Sequence, residues 1–305
     1  MTEKAKTDNA STEQTNDLLV GAHMSIAGGP HRALERGGDA GCLAVQMFLK
    51  NSNQWDAKPL TDAERELFVK RRKSCGIIAV IAHGSYLINL ASPDEALRRK
   101  SLDAFVEEIS RAQFLGIPHL VLHPGAHKGA GIDAGVTRTV ESLNRAFDRS
   151  FSGSNAAAPA VTVLLETMAG QGSILGSRFE ELADILEQVD ARDRVGVCFD
   201  TAHVFAAGYD LRTRETYEAT MSEFDRLIGV ERIRVIHLND SRRELGGRVD
   251  RHHHIGEGRI GTDAFSFIVN DPCFAAIPKI LETPKGTNGE EDPRNLATLR
   301  SLYRA

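Results

Sequence analysis

Eight short apolar runs recur along the chain with helix-like stretches between them, and this alternation restricts the fold more than any other feature. The runs are Leu18–Ala22, Leu43–Leu49, Ile77–Ala82, His119–Leu122, Val161–Leu165, Val195–Phe199, Ile233–Ile236 and Ile277–Leu281. Most are rich in Val, Ile and Leu and nearly continuous in apolar character, as parallel strands covered on both faces must be. The last is interrupted by Pro278 and Lys279. The intervening stretches predict helices over Asp62–Ser74, Pro93–Leu115 with Ser92 as N-cap, Arg138–Arg149, Arg178–Gln188, Thr213–Ile228, Asp263–Val269 and Arg294–Tyr303. Gly116 followed by Pro118 is a helix stop. The segment Phe151–Ala160, rich in Ser, Gly and Ala, reads as a return loop. Eight strand–helix units in alternation point to the α/β class and to a closed (β/α)8 TIM barrel rather than an open doubly wound sheet. Gly28-Gly29-Pro30 lacks the dinucleotide-binding spacing. No repeat or linker divides residues 18–305, which read as a single domain; residues 1–17 are polar, lack apolar periodicity and read as a disordered tail.

The 305 residues are 41% hydrophobic and 26% charged, so the chain can bury a substantial core. No apolar run approaches the roughly 20 residues that cross a bilayer. Leu18-Leu19-Val20 is too short for the core of a signal peptide. Cys42, Cys75, Cys198 and Cys273 are scattered and form no C-x-x-C pair, which argues against a zinc knuckle or a redox pair. A cytoplasmic protein without membrane association is expected. Net charge is −5. Nucleic-acid binders usually carry a basic excess, so any affinity for DNA here must come from a local field.

Such a field is foreshadowed at the strand ends, where barrels of this type build their chemistry. The residues at or just after the eight runs are His23, Lys50, His83, His123, Glu166, Asp200, His237 and Glu282. One His or Asp there would be unremarkable; a polar group at all eight ends indicates a common site. Asp200 and His203, three apart where a strand becomes a helix, can face one centre. Asp250 and His252, two apart, share a side of an extended segment. Imidazole and carboxylate without thiolate suit zinc, manganese or iron and argue against a purely structural zinc site. With His23 and Lys50 set aside, nine candidate ligands remain: His83, His123, Glu166, Asp200, His203, His237, Asp250, His252 and Glu282. Nine are too many for one ion and suit two or three, an arrangement fitted to phosphoryl transfer. Four carboxylates with three divalent ions leave the site at about +2, so an acidic protein can still hold a phosphate. Arg242, Arg243, Arg248, Arg251 and Arg259 lie in loops that can extend this field, whereas Arg71-Arg72-Lys73 and Arg98-Arg99-Lys100 read as solvated helix faces. His23 and Lys128 are candidate phosphate contacts or ordinary loop polarity.

The stretches Gly21-Ala-His-Met-Ser25, Ala82-His-Gly-Ser-Tyr-Leu-Ile-Asn-Leu90, His123-Pro-Gly125, Glu166-Thr-Met-Ala-Gly-Gln-Gly172, Asp200-Thr-Ala-His203, Ala207-Gly-Tyr-Asp210, His237-Leu-Asn-Asp-Ser241, Asp250-Arg-His252, Gly256-Glu-Gly258 and Leu281-Glu-Thr283 resemble the endonuclease IV family in order and spacing. The resemblance implies a barrel with three zinc ions per chain, manganese or iron replacing zinc in part. It implies that His83, His123 and Glu166 hold the first ion. Glu166 would bridge to a second, completed by Asp200, His237 and Glu282, and His203, Asp250 and His252 would hold the third. Glu166 is the expected catalytic carboxylate. The implied reaction is hydrolysis of the phosphodiester 5′ to an abasic site in double-stranded DNA, leaving a 3′-hydroxyl and a 5′-deoxyribose phosphate, with trimming of blocked 3′ ends. A monomer is expected. Alternation puts His254 on the same side as Asp250 and His252; the resemblance supports His252.

One departure stands out. Where family members commonly carry an Arg that enters the base stack, this chain has Asn53, in Lys50-Asn-Ser-Asn-Gln-Trp55. Tyr86 and Leu87 resemble the other stack-entering residues, and Gln54 and Trp55 can fill the gap, although Trp55 equally suits packing between helix and barrel. A metal-dependent sugar isomerase or epimerase, which uses one or two ions, and a catalytically silent DNA- or metal-binding protein are the competing readings.

Overall fold

The computed structural model describes residues 18–151, 160–286 and 289–304. The expected tail over residues 1–17 lies outside them, as does most of the expected loop over 151–160. The strands are β1 (Val20–His23), β2 (Ala44–Phe48), β3 (Ala79–His83), β4 (His119–Leu122), β5 (Thr162–Glu166), β6 (Val195–Asp200), β7 (Ile233–His237), β8 (Asp240–Ser241), β9 (His252–His253) and β10 (Lys279–Leu281). All but β8 and β9 form a closed parallel barrel in the order β1-β10-β7-β6-β5-β4-β3-β2. β8 and β9 pair antiparallel as a small ribbon above it. The helices are α1 (Pro30–Asp39), α2 (Asp62–Ser74), α3 (Glu95–Leu115), α4 (Ile132–Phe151), α5 (Phe179–Gln188), α6 (Thr201–Ala207), α7 (Arg214–Leu227), α8 (Thr262–Val269) and α9 (Glu291–Leu302). Among the described residues no helix is long and apolar enough to cross a membrane.

The expected strands slide by one or two residues, for one physical reason. His23, His83, Glu166, Asp200 and His237 lie inside the ladder rather than after it, in pairs such as His23↔Gln46, Phe48↔His83, Glu166↔Cys198 and Asp200↔His237. The backbone does not distinguish a polar strand residue from an apolar one when its side chain has partners. At β1 the barrel is tight enough that a Cβ on Gly21 would lie 1.5 Å from the Ala44 carbonyl oxygen, so only glycine fits.

Several helix boundaries differ from expectation. α3 is capped by Asp94, which accepts from the Ala96 and Leu97 N–H groups, while Ser92 accepts from Asp94 N in the preceding turn. α4 starts at Ile132 rather than Arg138, a first turn that Gly135 disguises. α9 starts at Glu291, with Pro293 in its first turn where no N–H partner is lost. α1 lies outside the expected helices but carries its own signal, a proline at its first position, and α6 is the short helix expected to follow Asp200.

Two packed regions organise the barrel. The larger lies between strands and helices. The smaller contains Ala44, Ile81, Val121, Leu164, Cys198, Val235 and Ile280, one residue from each barrel strand except β1, and fills the barrel interior. Because strand side chains alternate, the residue two places on from each of these also points inward, at the C-terminal mouth. Those residues are Gln46, His83, His123, Glu166, Asp200, His237 and Glu282, and the same step along β1 leads from Gly21 to His23.

Candidate metal centre

The inward step therefore gathers imidazoles and carboxylates over an apolar plug. Three groups bring ligand atoms within 4.8 Å of one another: His83, His123 and Glu166; Glu166, Asp200, His237 and Glu282; and Asp200, His203 and His252. Glu166 sits at the junction. Its Oε2 is 3.3 Å from His83 Nε2 and 3.1 Å from His123 Nε2, while its Oε1 is 3.1 Å from His237 Nδ1 and 3.2 Å from His203 Nδ1. His237 Nδ1 also faces Glu282 Oε2 at 3.2 Å and Asp200 Oδ2 at 3.6 Å. Asp250 closes the third group, with Oδ2 3.3 Å from His203 Nε2 and Oδ1 3.2 Å from His252 Nε2.

Local structure explains each placement. Asp200 ends β6 and caps α6, its Oδ1 accepting from His203 N at 2.8 Å, so the strand-to-helix turn brings both side chains to one centre. His252 is delivered by the β8–β9 ribbon. That ribbon is anchored by Asp240, whose buried carboxylate accepts from the N–H groups of Ser241, Gly256, Gly258 and Ile260. His254 is turned away: the chain bends after β9, and its ring meets Asn295 Nδ2 at 3.1 Å. The alternation that made it a rival to His252 ends at that bend.

The histidines are oriented as metal ligands are. His83 Nδ1 donates to Gly84 O at 2.8 Å, His203 Nδ1 to Thr167 O at 2.9 Å and His252 Nδ1 to Glu282 O at 3.1 Å. Each commits one nitrogen to a backbone carbonyl and leaves the Nε2 lone pair facing a carboxylate. His237 is reversed, with Nε2 donating to Gln46 Oε1 at 2.8 Å and Nδ1 facing the carboxylates. Asn239 braces the acids, giving Nδ2–H to Asp200 Oδ2 at 2.7 Å and accepting from Glu282 N, also at 2.7 Å. Thr167 Oγ1 accepts from Asp200 N. Gln46, Thr167 and Asn239 escaped the sequence reading. The signal for Gln46 is the period-two step from Ala44, hidden when the strand is taken to end at Lys50.

Buried charge on this scale is costly unless paired. Burial is the largest single influence on Glu166 and would raise its pKa, but His237, His123 and His203 together hold it well below the usual carboxylate range. For His203 and His237 burial is again the largest influence and lowers the pKa. The surrounding groups, Asp200, Asp250 and Glu166 for His203 and Cys198, Glu282, Glu166 and Asp200 for His237, outweigh it and raise both well above the ordinary histidine value. The cluster thus demands positive charge between its members. His203 Nε2 and His252 Nε2 are buried with no hydrogen-bond partner although carboxylate oxygens lie beside them. The 3.1–3.3 Å separations match the edge of a tetrahedron of about 3.3 Å, given by metal–ligand bonds of about 2.0–2.1 Å. The donor set, the orphaned nitrogens and the spacing all fit divalent cations.

Above the cluster opens a cavity of about 570 Å³ lined by His23, Phe48, Tyr86, Arg242, Arg251 and Lys285, among others. Tyr86 is exposed and Leu87 half-buried beside it; Asn53 and Gln54 are exposed on the neighbouring loop. Trp55 is half-buried against the core, with Lys100 Nζ 4.5 Å from its ring centroid. Lys50 points away from the site, buried, donating to Trp55 O and Glu107 Oε2 at 2.7 Å each. His23 lies at the site's edge, Nδ1 3.3 Å from Glu282 Oε1. Lys128 is exposed with positive φ, its N–H donating to Ser173 Oγ.

A family described as xylose isomerase-like TIM barrels matches residues 34–303. A protein named probable endonuclease 4 from Chloroflexus aggregans is 52% identical over 284 residues, covering 93% of this chain and 97% of that relative. The crystal structure of endonuclease IV from Thermus thermophilus superposes with a TM-score of 0.80 at 35% identity, covering 93% of this chain and 98% of that one. A D-tagatose 3-epimerase-like protein matches with a TM-score of 0.69 at 17% identity over 92% of this chain and 96% of that one, a likeness of fold alone. At half-identity over nearly the whole length, with the cluster intact, the chain belongs to the endonuclease IV family of xylose isomerase-like barrels.

Proposed function

We propose that this protein hydrolyses the DNA phosphodiester 5′ to abasic sites, leaving a 3′-hydroxyl and a 5′-deoxyribose phosphate, and trims blocked 3′ ends, with three zinc ions per chain. The observation that supports this reading best is the convergence of nine ligand side chains at one mouth of the barrel, joined through the two oxygens of Glu166. His83, His123 and Glu166 would hold one ion. Glu166, Asp200, His237 and Glu282 would hold a second, and His203, Asp250 and His252 a third. Divalent ions there supply Lewis acidity and clamp the attacking and leaving oxygens of a displacement at phosphorus.

The rest falls to the chain itself. Arg242 and Arg251 line the cavity and offer cations to phosphates flanking the scissile one. Tyr86 and Leu87 stand at the rim, where an aromatic ring and an aliphatic chain can fill the gap left by a displaced nucleotide. Trp55 anchors the adjacent loop, from which Asn53 and Gln54 reach the duplex. His237, His123 and His203 keep Glu166 ionised against the effect of its burial, beside the place an attacking oxygen would take.

The deciding experiment incubates the purified protein with a labelled duplex holding one abasic site, with and without chelator. Chelator-sensitive cleavage at the abasic site supports the reading. No cleavage by protein carrying three ions, or only two ions per chain together with sugar epimerisation, would overturn it.

A further inference from the structure

Gln46 is buried within the barrel mouth, and nothing in the ligand chemistry requires it. Its side chain nevertheless touches two of the candidate ligands and His23 at the site's edge. Oε1 accepts from His237 Nε2 at 2.8 Å, and Nε2 donates to Glu282 Oε1 at 2.7 Å. The same Nε2 lies 3.1 Å from His23 Nδ1. The amide can sit only one way round. Reversed, its carbonyl oxygen would press on the Glu282 carboxylate, two acceptors with no proton between them. Glu282 thus fixes the amide, and the amide fixes the imidazole: with Oε1 facing His237, the His237 proton must reside on Nε2. The Nδ1 lone pair is then directed at the space shared with Glu166, Asp200 and Glu282.

We infer that Gln46 is a positioning residue that sets the tautomer of His237 and the rotamer of Glu282, and so determines the affinity of the cation site these two share with Glu166 and Asp200. This rests on the metal-centre reading above. The other ligand histidines with a described Nδ1 partner use backbone carbonyls for this purpose, which mutation cannot remove. His237 alone among them depends on a side chain. A substitution outside the ligand set that removes this hydrogen bond should therefore lower the affinity of its site.

The test compares zinc-loaded wild type with Gln46→Met, which keeps the shape of the side chain and removes both hydrogen bonds. Zinc content is measured against a graded chelator series. One of the ions should be lost at about 10- to 100-fold lower chelator strength in Gln46→Met, the others being held as in wild type. Equal retention of every ion by both proteins overturns the inference. A second measurement needs no variant. In zinc-loaded wild type labelled with nitrogen-15, His237 should show a protonated Nε2 in slow exchange and an unprotonated Nδ1; the opposite tautomer overturns the inference even if Gln46→Met does not fold. Wild type that binds no zinc would instead sink the metal-centre reading itself.

Discussion

Glu166 and His237 face each other across the barrel mouth, Oε1 to Nδ1 at 3.1 Å, while the second Glu166 oxygen lies 3.1 Å from His123 on the opposite side. A single carboxylate therefore spans two ligand groups. Glu166→Gln retains the shape but gives one end to an amide nitrogen, which cannot ligate. The variant should keep its fold and its affinity for abasic duplex and lose turnover by about 10³-fold or more, as for groups that act as a unit. Its zinc content should fall below that of wild type. Cleavage within a few-fold of wild type would remove Glu166 from the chemistry.

Chelation should do more than stop cleavage. Ions held only by the folded cluster stabilise it by mass action, about 2.7 kcal/mol for each site at a free concentration 100 times its Kd. Removing them leaves buried acids and imidazoles to share protons alone. The melting temperature should drop by several degrees on exhaustive dialysis against chelator and return with zinc. Elemental analysis of the reloaded protein should give three ions per chain; two would favour the isomerase-like alternative.

How much of this was legible in the residues depends on which forces placed them. The barrel follows from alternation, since buried parallel strands must be apolar on both faces. Every candidate ligand but Asp250 lies at a strand end, in β9 or just into α6, where the sequence position is nearly the spatial position. Gln46 was not legible, because the apolar run from Leu43 to Leu49 conceals which face of β2 looks inward. Only pairing Gln46 with His23 and Ile81 settles that. Asn239 and Asp240 act through long-range hydrogen bonds to Glu282 and to residues 256–260, which no local pattern records. Lys50 shows the converse: polar at a strand end, it braces a loop instead of joining the site.

The exposed loop at Asn53 sets up a gain-of-function experiment. Asn53 N–H donates to Asn51 Oδ1, so the turn is held without help from the Asn53 side chain. A long cation can then be installed without cost to the fold. Asn53→Arg should tighten binding to abasic duplex by about 3- to 10-fold at low salt, one added phosphate or base contact, and steepen the salt dependence. The turnover number should change less than about two-fold. Tyr86→Ala should weaken binding by a similar factor in the opposite direction.

The third candidate ligand group takes His252 from the ribbon that Asp240 anchors, and Gly258 is the pressure point. A Cβ there would lie 2.4 Å from Asp240 Oδ1 and 2.5 Å from Ser241 O. Asp240 cannot retreat without releasing the Ser241 and Ile260 N–H groups that its Oδ1 holds, nor Ser241 O without releasing the Arg259 N–H. Gly258→Ala should destabilise the protein by about 1–3 kcal/mol, the range for a disrupted buried hydrogen-bond network. Its ion loss should be selective: the site of His203, Asp250 and His252 should empty first. Intact three-ion stoichiometry at wild-type chelator resistance would show that the ribbon does not position His252.

Glu108 links pH to the loop that carries Tyr86. Its carboxylate is buried, and both oxygens accept from Ser85 N at 3.2 Å, while Ser85 Oγ donates to Ser52 O at 2.6 Å. The two loops that flank the cavity are thus tied together at Ser85. Burial pushes the Glu108 pKa up to about 7, against the smaller opposing effects of Lys50 and the Ser85 N–H. The folded state therefore holds a proton that the unfolded chain gives up near the ordinary glutamate value. The stability this proton carries is complete below that ordinary value and is lost as pH rises through about 7. Glu108→Gln stays neutral at every pH and keeps a carbonyl oxygen for Ser85 N–H. Between pH 5 and pH 8 the wild type should lose up to about 3 kcal/mol relative to Glu108→Gln, each tenfold difference in proton affinity between the folded and unfolded states being worth about 1.4 kcal/mol. Denaturant unfolding of both proteins across that range reads the difference directly, and other titrating groups cancel in the comparison. Parallel stability curves would mean that Glu108 is already ionised in the fold, held by Lys50 and Ser85 more strongly than burial opposes.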